Sequence, residues 1–202
     1  MKKNRLEAFS DGVFAIVITL LVLELRPEGP GVPAHDMIVQ AEPKVLAFAL
    51  SFVIIGTYWV AHHRMLDFVR TVDRTLLWLN LALLMVVAFI PYPTALVGTT
   101  HGAPAALQLY GATLVAANAI GTALWLYGTS RPHRADHLEA GQRTRVALIH
   151  LAPIVLYAIG IGLAGTHKGV TLACYIVVPM FFVLGGSWMD RRLVRTMERS
   201  CE

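Results

Sequence analysis

The sequence predicts an all-α membrane protein with six transmembrane helices per subunit and both termini cytoplasmic. Three observations carry this: the composition, six apolar runs of membrane length, and the way the basic residues divide between the connecting segments. Of the 202 residues, 56% are hydrophobic and 15% charged, with a mean hydropathy of +0.60. That balance is far from a soluble domain.

Stretches of about 17 to 25 mostly apolar residues can cross a bilayer, and they recur at roughly 5–25, 45–62, 75–97, 106–128, 145–164 and 170–189. The first is "RLEAFSDGVFAIVITLLVLEL", uncharged from Gly12 to Leu23 and closed by Glu24. Asn4 followed by Glu7 resembles a capping box, which starts this helix near Arg5. From Arg5 to Leu25 is then about 31 Å at 1.5 Å per residue, with Asp11 about two turns in. The second span follows the Pro and Gly-rich "RPEGPGVPAHD" and ends in "TYWVAHH". The third begins with "RTLLWLN", and Pro91 and Pro93 bend or end it. The fourth follows "GTTHGAP", and the fifth follows the basic "SRPHRADHLEAGQRTR" with Pro153 in its first turns. In the sixth, Pro179 sits near the middle and is expected to kink the helix.

All of the 17 Lys and Arg except Arg26, Lys44 and Lys168 fall on one side: the N-terminus, the segments after spans two and four, and the tail. By the positive-inside rule that side is the cytoplasm, and the protein is a multi-pass protein of the cell membrane. This division also explains the pI near 9.3 without nucleic acid, because the basic residues gather on no single domain. Cys174 and Cys201 make neither a disulfide framework nor a metal-ligand pair. A cleaved signal peptide would account for "MKK" before an apolar run, but Asp11 and Glu24 bracket the run and no small-x-small cleavage site follows closely. No internal repeat or low-complexity tract divides the chain, so residues 1–202 form a single domain of six transmembrane helices.

An ionisable group at the depth of Asp11 needs a partner. With alternating spans, Trp59, His62, His63 and Asn80 share a level with Arg5, Ser10 and Asp11. Indole, imidazole and carboxamide donors meeting a carboxylate and a hydroxyl would lock the first helix against the second and third. The sequence leaves open whether His62 or His63 takes part, and a plain interfacial belt accounts for Trp59 alone. A zinc site is weak, since adjacent residues on a helix point about 100° apart and no third ligand has suitable spacing. Ser10, His62 and Asp11 could be drawn as a hydrolase triad, but nothing like a nucleophile elbow surrounds the serine.

Past Asp11, helical spacing aligns Gly12, Ile16, Thr19, Leu20 and Leu23 on one face. Periodicity alone fits lipid or another helix as well as a pore. Arg5-x-x-x-Phe9-Ser10-Asp11, however, resembles the RxxxFSD signature of the transmembrane-protein-175 family, the lysosomal potassium channels and their bacterial relatives. The likeness extends through "GVFAIVITLLVLEL", "YWVAHH", the "LN" and "FIPYPT" of span three, and the six-span layout, as in a bacterial member.

That resemblance implies a homotetramer of single six-helix repeats around a pore lined by the first helices, with no enzymatic activity and no cofactor beyond the permeant potassium ion. It implies a hydrophobic constriction at Ile16, continued by Leu20 and Leu23, and a role in potassium preference for Thr19. It also implies a hydrogen-bonded support from Arg5, Phe9, Ser10 and Asp11, for which Trp59, His62 and Asn80 are the expected partners. Selectivity for potassium over sodium should be modest, because the chain has no TVGYG loop. Asp36 and Glu42 could draw cations to the outer mouth, though solvated loop charges account for them equally well. The alternative function is a proton-coupled ion transporter using Asp11 and His62 or His63 as a relay.

Overall fold

Inside hydrocarbon, backbone N–H and C=O groups must be satisfied within the chain, and long apolar runs meet that requirement as helices. The computed structural model describes residues 2–25, 34–130 and 140–198, and Arg26, Arg131, Arg134, Arg199 and Cys201 lie outside this set. The side chains of Asp36, Arg143, Arg145, Arg191, Arg192 and Arg195 are also outside it.

Helix α1 spans Lys3–Leu20 and continues as a 3-10 turn over Leu21–Leu25. It is followed by α2 (Ala34–Phe68), α3 (Arg74–Phe89), α4 (Pro91–Thr99), α5 (Pro104–Gly128), α6 (Ala140–Leu163) and α7 (Lys168–Glu198). Among the described residues, Lys3–Leu25, Ala41–Phe68, Arg74–Thr99 and Pro104–Gly128 are long and apolar enough to cross a membrane. Leu151–Leu163 and Lys168–Leu184 are shorter apolar stretches of α6 and α7.

Three local expectations change. Lys2 stands at the N-cap of α1 with no side-chain cap, and Glu7 pairs instead with Lys3 at 3.5 Å, one helical turn away. Asn4 therefore lies inside the first turn, and no capping box forms. Pro153 lies well inside α6, because that helix already begins at Ala140. Helix α2 starts ahead of the apolar run, takes in Pro43, and at 1.5 Å per residue reaches roughly 50 Å.

Helices α3 and α4 follow each other within one membrane-length stretch, Arg74–Thr99. Ile90 keeps helical angles between them, with φ of −53° and ψ of −39°, while Pro91, at the first position of α4, brings no N–H to the ladder. Thr94 restores order beyond the break: its N–H and its hydroxyl both donate to the Ile90 carbonyl, at 3.1 and 2.8 Å. At the start of α3, the Asp73 carboxylate caps the helix by accepting from the Leu76 N–H at 2.9 Å. Its other oxygen accepts from the Tyr127 hydroxyl at 2.8 Å, tying the start of α3 to the end of α5. Helix α4 closes with His101 at φ 51° and Gly102 at φ 72°. The Gly102 N–H reaches back to the Val97 carbonyl at 2.8 Å, a Schellman closure.

Helix α1 lies against α2 and α3, and its 3-10 end against α2 and α4, while α5 is packed between α3 and α6 and α7 covers α6. The apolar residues buried here are Leu6, Phe14 and Val17 of α1 and Leu21 of the 3-10 turn. Near the α4 end of the molecule a hydroxyl cluster replaces apolar packing: the Ser51 hydroxyl lies 2.7 Å from Thr94 Oγ1 and 2.8 Å from the Tyr110 hydroxyl, all buried. Tyr175 donates to the Leu107 carbonyl at 2.8 Å. Its ring lies so close to Gly111 and Gly160 that a Cβ at either would collide with it, so these two positions set how closely α5, α6 and α7 approach.

Candidate functional site

Two turns into α1, Ser10 and Asp11 point toward the neighbouring helices. Ser10 is fully buried, and its hydroxyl accepts from the Asn80 amide of α3 at 3.0 Å. With that nitrogen committed, the Asn80 carbonyl oxygen meets Nε2 of His62, on α2, at 2.6 Å. Nε2 is therefore a protonated ring nitrogen. The chain Ser10, Asn80, His62 joins three helices, and the Phe14 ring packs on His62 with centroids 5.5 Å apart.

A second link runs alongside. Asp11 Oδ1 accepts from the Trp59 indole N–H at 2.8 Å, and Trp59 in turn stacks on His63 with centroids 6.0 Å apart at 24°. His62 is the buried histidine of the pair and His63 the exposed one. The two thus go to different tasks, one in the interhelical chain and one beside the indole. Among the described residues no cluster of three His, Cys, Asp or Glu is placed to hold a metal ion. No triad assembles either, since Asn80 stands between Ser10 and His62 and Asp11 is hydrogen-bonded to Trp59.

Arg5 does not join these residues. It is exposed, and among the described residues its side chain makes no hydrogen bond or ion pair. Helical geometry is the reason: at 100° per residue, Arg5 and Ser10 lie about 140° apart, whereas Arg5 and Phe9 are separated by only about 40°. Phe9, 52% exposed, shares the outward face with Ile16 at 59%, Leu20 at 43% and Leu23 at 46%. A Cβ added at Gly12, on the same side, would touch nothing. Thr19 is exposed beside them, with its hydroxyl turned back to the Ile16 carbonyl at 2.8 Å. Helix α1 thus has a back held by specific hydrogen bonds and a front that is left exposed among the described residues.

One further pair stands next to His62 and is absent from the set that the sequence suggested. The Asn118 amide, on α5, donates to the Tyr58 hydroxyl at 2.7 Å and to the Leu114 carbonyl at 2.9 Å. A carboxamide in the middle of a span is itself a signal, because a polar group at that depth requires a partner.

If the amide of Asn80 holds the hydroxyl of Ser10, a double-mutant cycle with Ser10→Ala and Asn80→Ala, read by thermal unfolding in detergent, should give a coupling of about 0.6 kcal/mol, typical of interhelical hydrogen bonds in membranes. Strictly additive effects would contradict the link.

Comparison with known proteins agrees with this layout. Residues 5–91 match the family model described as endosomal/lysosomal potassium channel TMEM175. The chain is 36% identical to a potassium channel of Streptomyces collinus over 90% of its own length and 91% of the relative's. It is 30% identical to a potassium channel of a Chryseobacterium strain over 99% and 100% of the two chains. Its fold matches the crystal structure of a lysosomal potassium-selective channel TMEM175 homolog from Chamaesiphon minutus with a TM-score of 0.78 and 30% identity, covering 90% of this chain and 96% of that one. Agreement over nearly the full length of both relatives, together with a first helix held from behind by Ser10 and Asp11, places this chain in the TMEM175 family.

Proposed function

We propose that this protein is a potassium-permeable channel of the cell membrane, formed by four copies whose first helices surround a central pore, with six spans per subunit and both termini cytoplasmic. The observation that carries the reading is the two-sidedness of α1. Its back is fixed by hydrogen bonds from Asn80 and Trp59, while Ile16, Leu20 and Leu23 form an uncovered apolar front. Potassium as the permeant ion is supported by the similarity in sequence to the potassium channels of Streptomyces and Chryseobacterium and in fold to the potassium-selective channel of Chamaesiphon.

On this reading, Ile16 is the constriction. Four such side chains around an axis form a ring too apolar to hold a continuous water column when narrow, so the pore closes by dewetting and opens on small outward displacements. Leu20 and Leu23 extend the lining. Thr19, one turn beyond the constriction, supplies hydroxyl or neighbouring carbonyl oxygen to a partly dehydrated cation, favouring the ion with the lower dehydration cost. Without a rigid stack of carbonyl cages, preference for potassium over sodium is modest. Ser10, Asp11, Trp59, His62 and Asn80 hold the pore helix, and Arg5 and Phe9 lie at its inner end, on the side of the axis.

Conduction through such a pore is passive. Purified protein in planar bilayers should carry a potassium current whose reversal potential follows the potassium gradient; a reversal that moves with the proton gradient would instead favour coupled transport through Asp11 and the histidines. Ile16→Asn should raise single-channel conductance several-fold by wetting the constriction, and an unchanged conductance would remove Ile16 from that role. Thr19→Val keeps the side-chain shape and deletes the hydroxyl, so the potassium to sodium permeability ratio should fall. An unaltered ratio would show that the hydroxyl takes no part in ion preference.

A further inference from the structure

Behind the chain that holds α1, the helices leave a recess between α2, α3 and α5. Tyr58, His62, Leu83, Asn118, Gly121 and Trp125 are among the residues that line it. Part of the space exists because Gly121 carries no side chain, and a Cβ built there meets nothing within 4 Å. The recess offers about 40 Å³ to the centres of water-sized molecules, against the roughly 10 to 15 Å³ that one water requires.

The polar atoms around this space fit water. His62 is only 4% exposed, and Nδ1 of its ring has no hydrogen-bond partner among the described residues. Since Nε2 carries the ring proton, Nδ1 is an acceptor in search of a donor. Tyr58 and Asn118 have no proton to give it: Tyr58 donates to the Leu114 carbonyl at 3.3 Å, and both amide hydrogens of Asn118 are engaged. The side-chain oxygen of Asn118 and the second lone pair of the Tyr58 hydroxyl, whose first accepts from Asn118, remain as acceptors. A water molecule has the complementary inventory, and the two to four partners that a buried water needs are present.

We propose that this recess is a water-binding site in each subunit, in which an ordered water donates to His62 Nδ1 and links α5 to the Asn80 and Ser10 chain that holds α1. The inference rests on the geometry of one subunit and is independent of where the pore lies. It is tested on the full-length protein in lipid bilayers, labelled with 15N-histidine, by solid-state NMR that reads the ring tautomer and the transfer of magnetisation from water. The expected result is a neutral Nε2–H ring at His62 that receives magnetisation from water. Gly121→Val fills the recess and should abolish that transfer, and Gly121→Ala, which occupies less of it, should weaken it. A wild-type ring that receives no magnetisation from water would overturn the proposal without reference to any variant. A ring protonated on Nδ1, or transfer unaffected by either substitution, would overturn it as well.

Discussion

A polar side chain inside a hydrocarbon slab must find its partner in the protein, and on α1 that constraint falls on Ser10 and Asp11. Their partners lie on two different helices, Asn80 on α3 and Trp59 on α2, and His62 closes the connection between those two. Each bond alone is modest, since interhelical hydrogen bonds in membranes contribute on the order of 0.6 kcal/mol. Their effect is one of direction more than strength. Hydrogen bonds fix the rotation of a helix about its axis, which apolar packing between smooth side chains leaves loosely set, and the rotation of α1 decides which residues face outward.

Once that rotation is set, much else follows from helical spacing. Phe14 and Val17 turn inward with Ser10, while Phe9, Ile16 and Leu20 turn away. Beyond Leu20 the helix tightens into a 3-10 turn of 5 residues, longer than such turns usually run. That segment rests on α2 and on α4, and α4 is held through Thr94 to Ser51 and Tyr110. The two ends of the first helix are thus supported differently, by an amide and imidazole chain at one end and by packing on a hydroxyl-bonded neighbour at the other.

The partners of Ser10 and Asp11 were legible in the sequence because depth in a membrane is nearly one-dimensional. Alternating spans bring the end of "TYWVAHH" and the start of "RTLLWLN" to the level of "RLEAFSD", and few polar residues compete there. Between two adjacent histidines, level alone cannot choose, since that depends on how α2 is rotated; burial separates His62 from His63. Depth and the RxxxFSD pattern group Arg5 with Ser10, but the angle of about 140° between them on the helix turns Arg5 away from that chain of hydrogen bonds. The start of α1 departs from a capping box because Glu7 has a lysine one turn back, and an ion pair with Lys3 competes with the capping geometry. The extent of α2 was hidden because hydropathy reports the membrane and not the helix, and its first turns precede the apolar run. The hydroxyl cluster around Ser51 and the recess beside His62 depend on how three helices meet, which no single-helix pattern contains, although Asn118 and Gly121 mark the place.

On the proposed function, the hydrogen-bonded back of α1 presents its uncovered face to an axis shared by several subunits. A cryo-electron reconstruction of the full-length protein in lipid, viewed down the membrane normal, tests it most directly. The account predicts four first helices around a central axis, with Ile16 innermost and Ser10 and Asp11 pointing outward to Asn80 and Trp59. First helices at the periphery, with Ile16 and Leu20 against lipid, would contradict it.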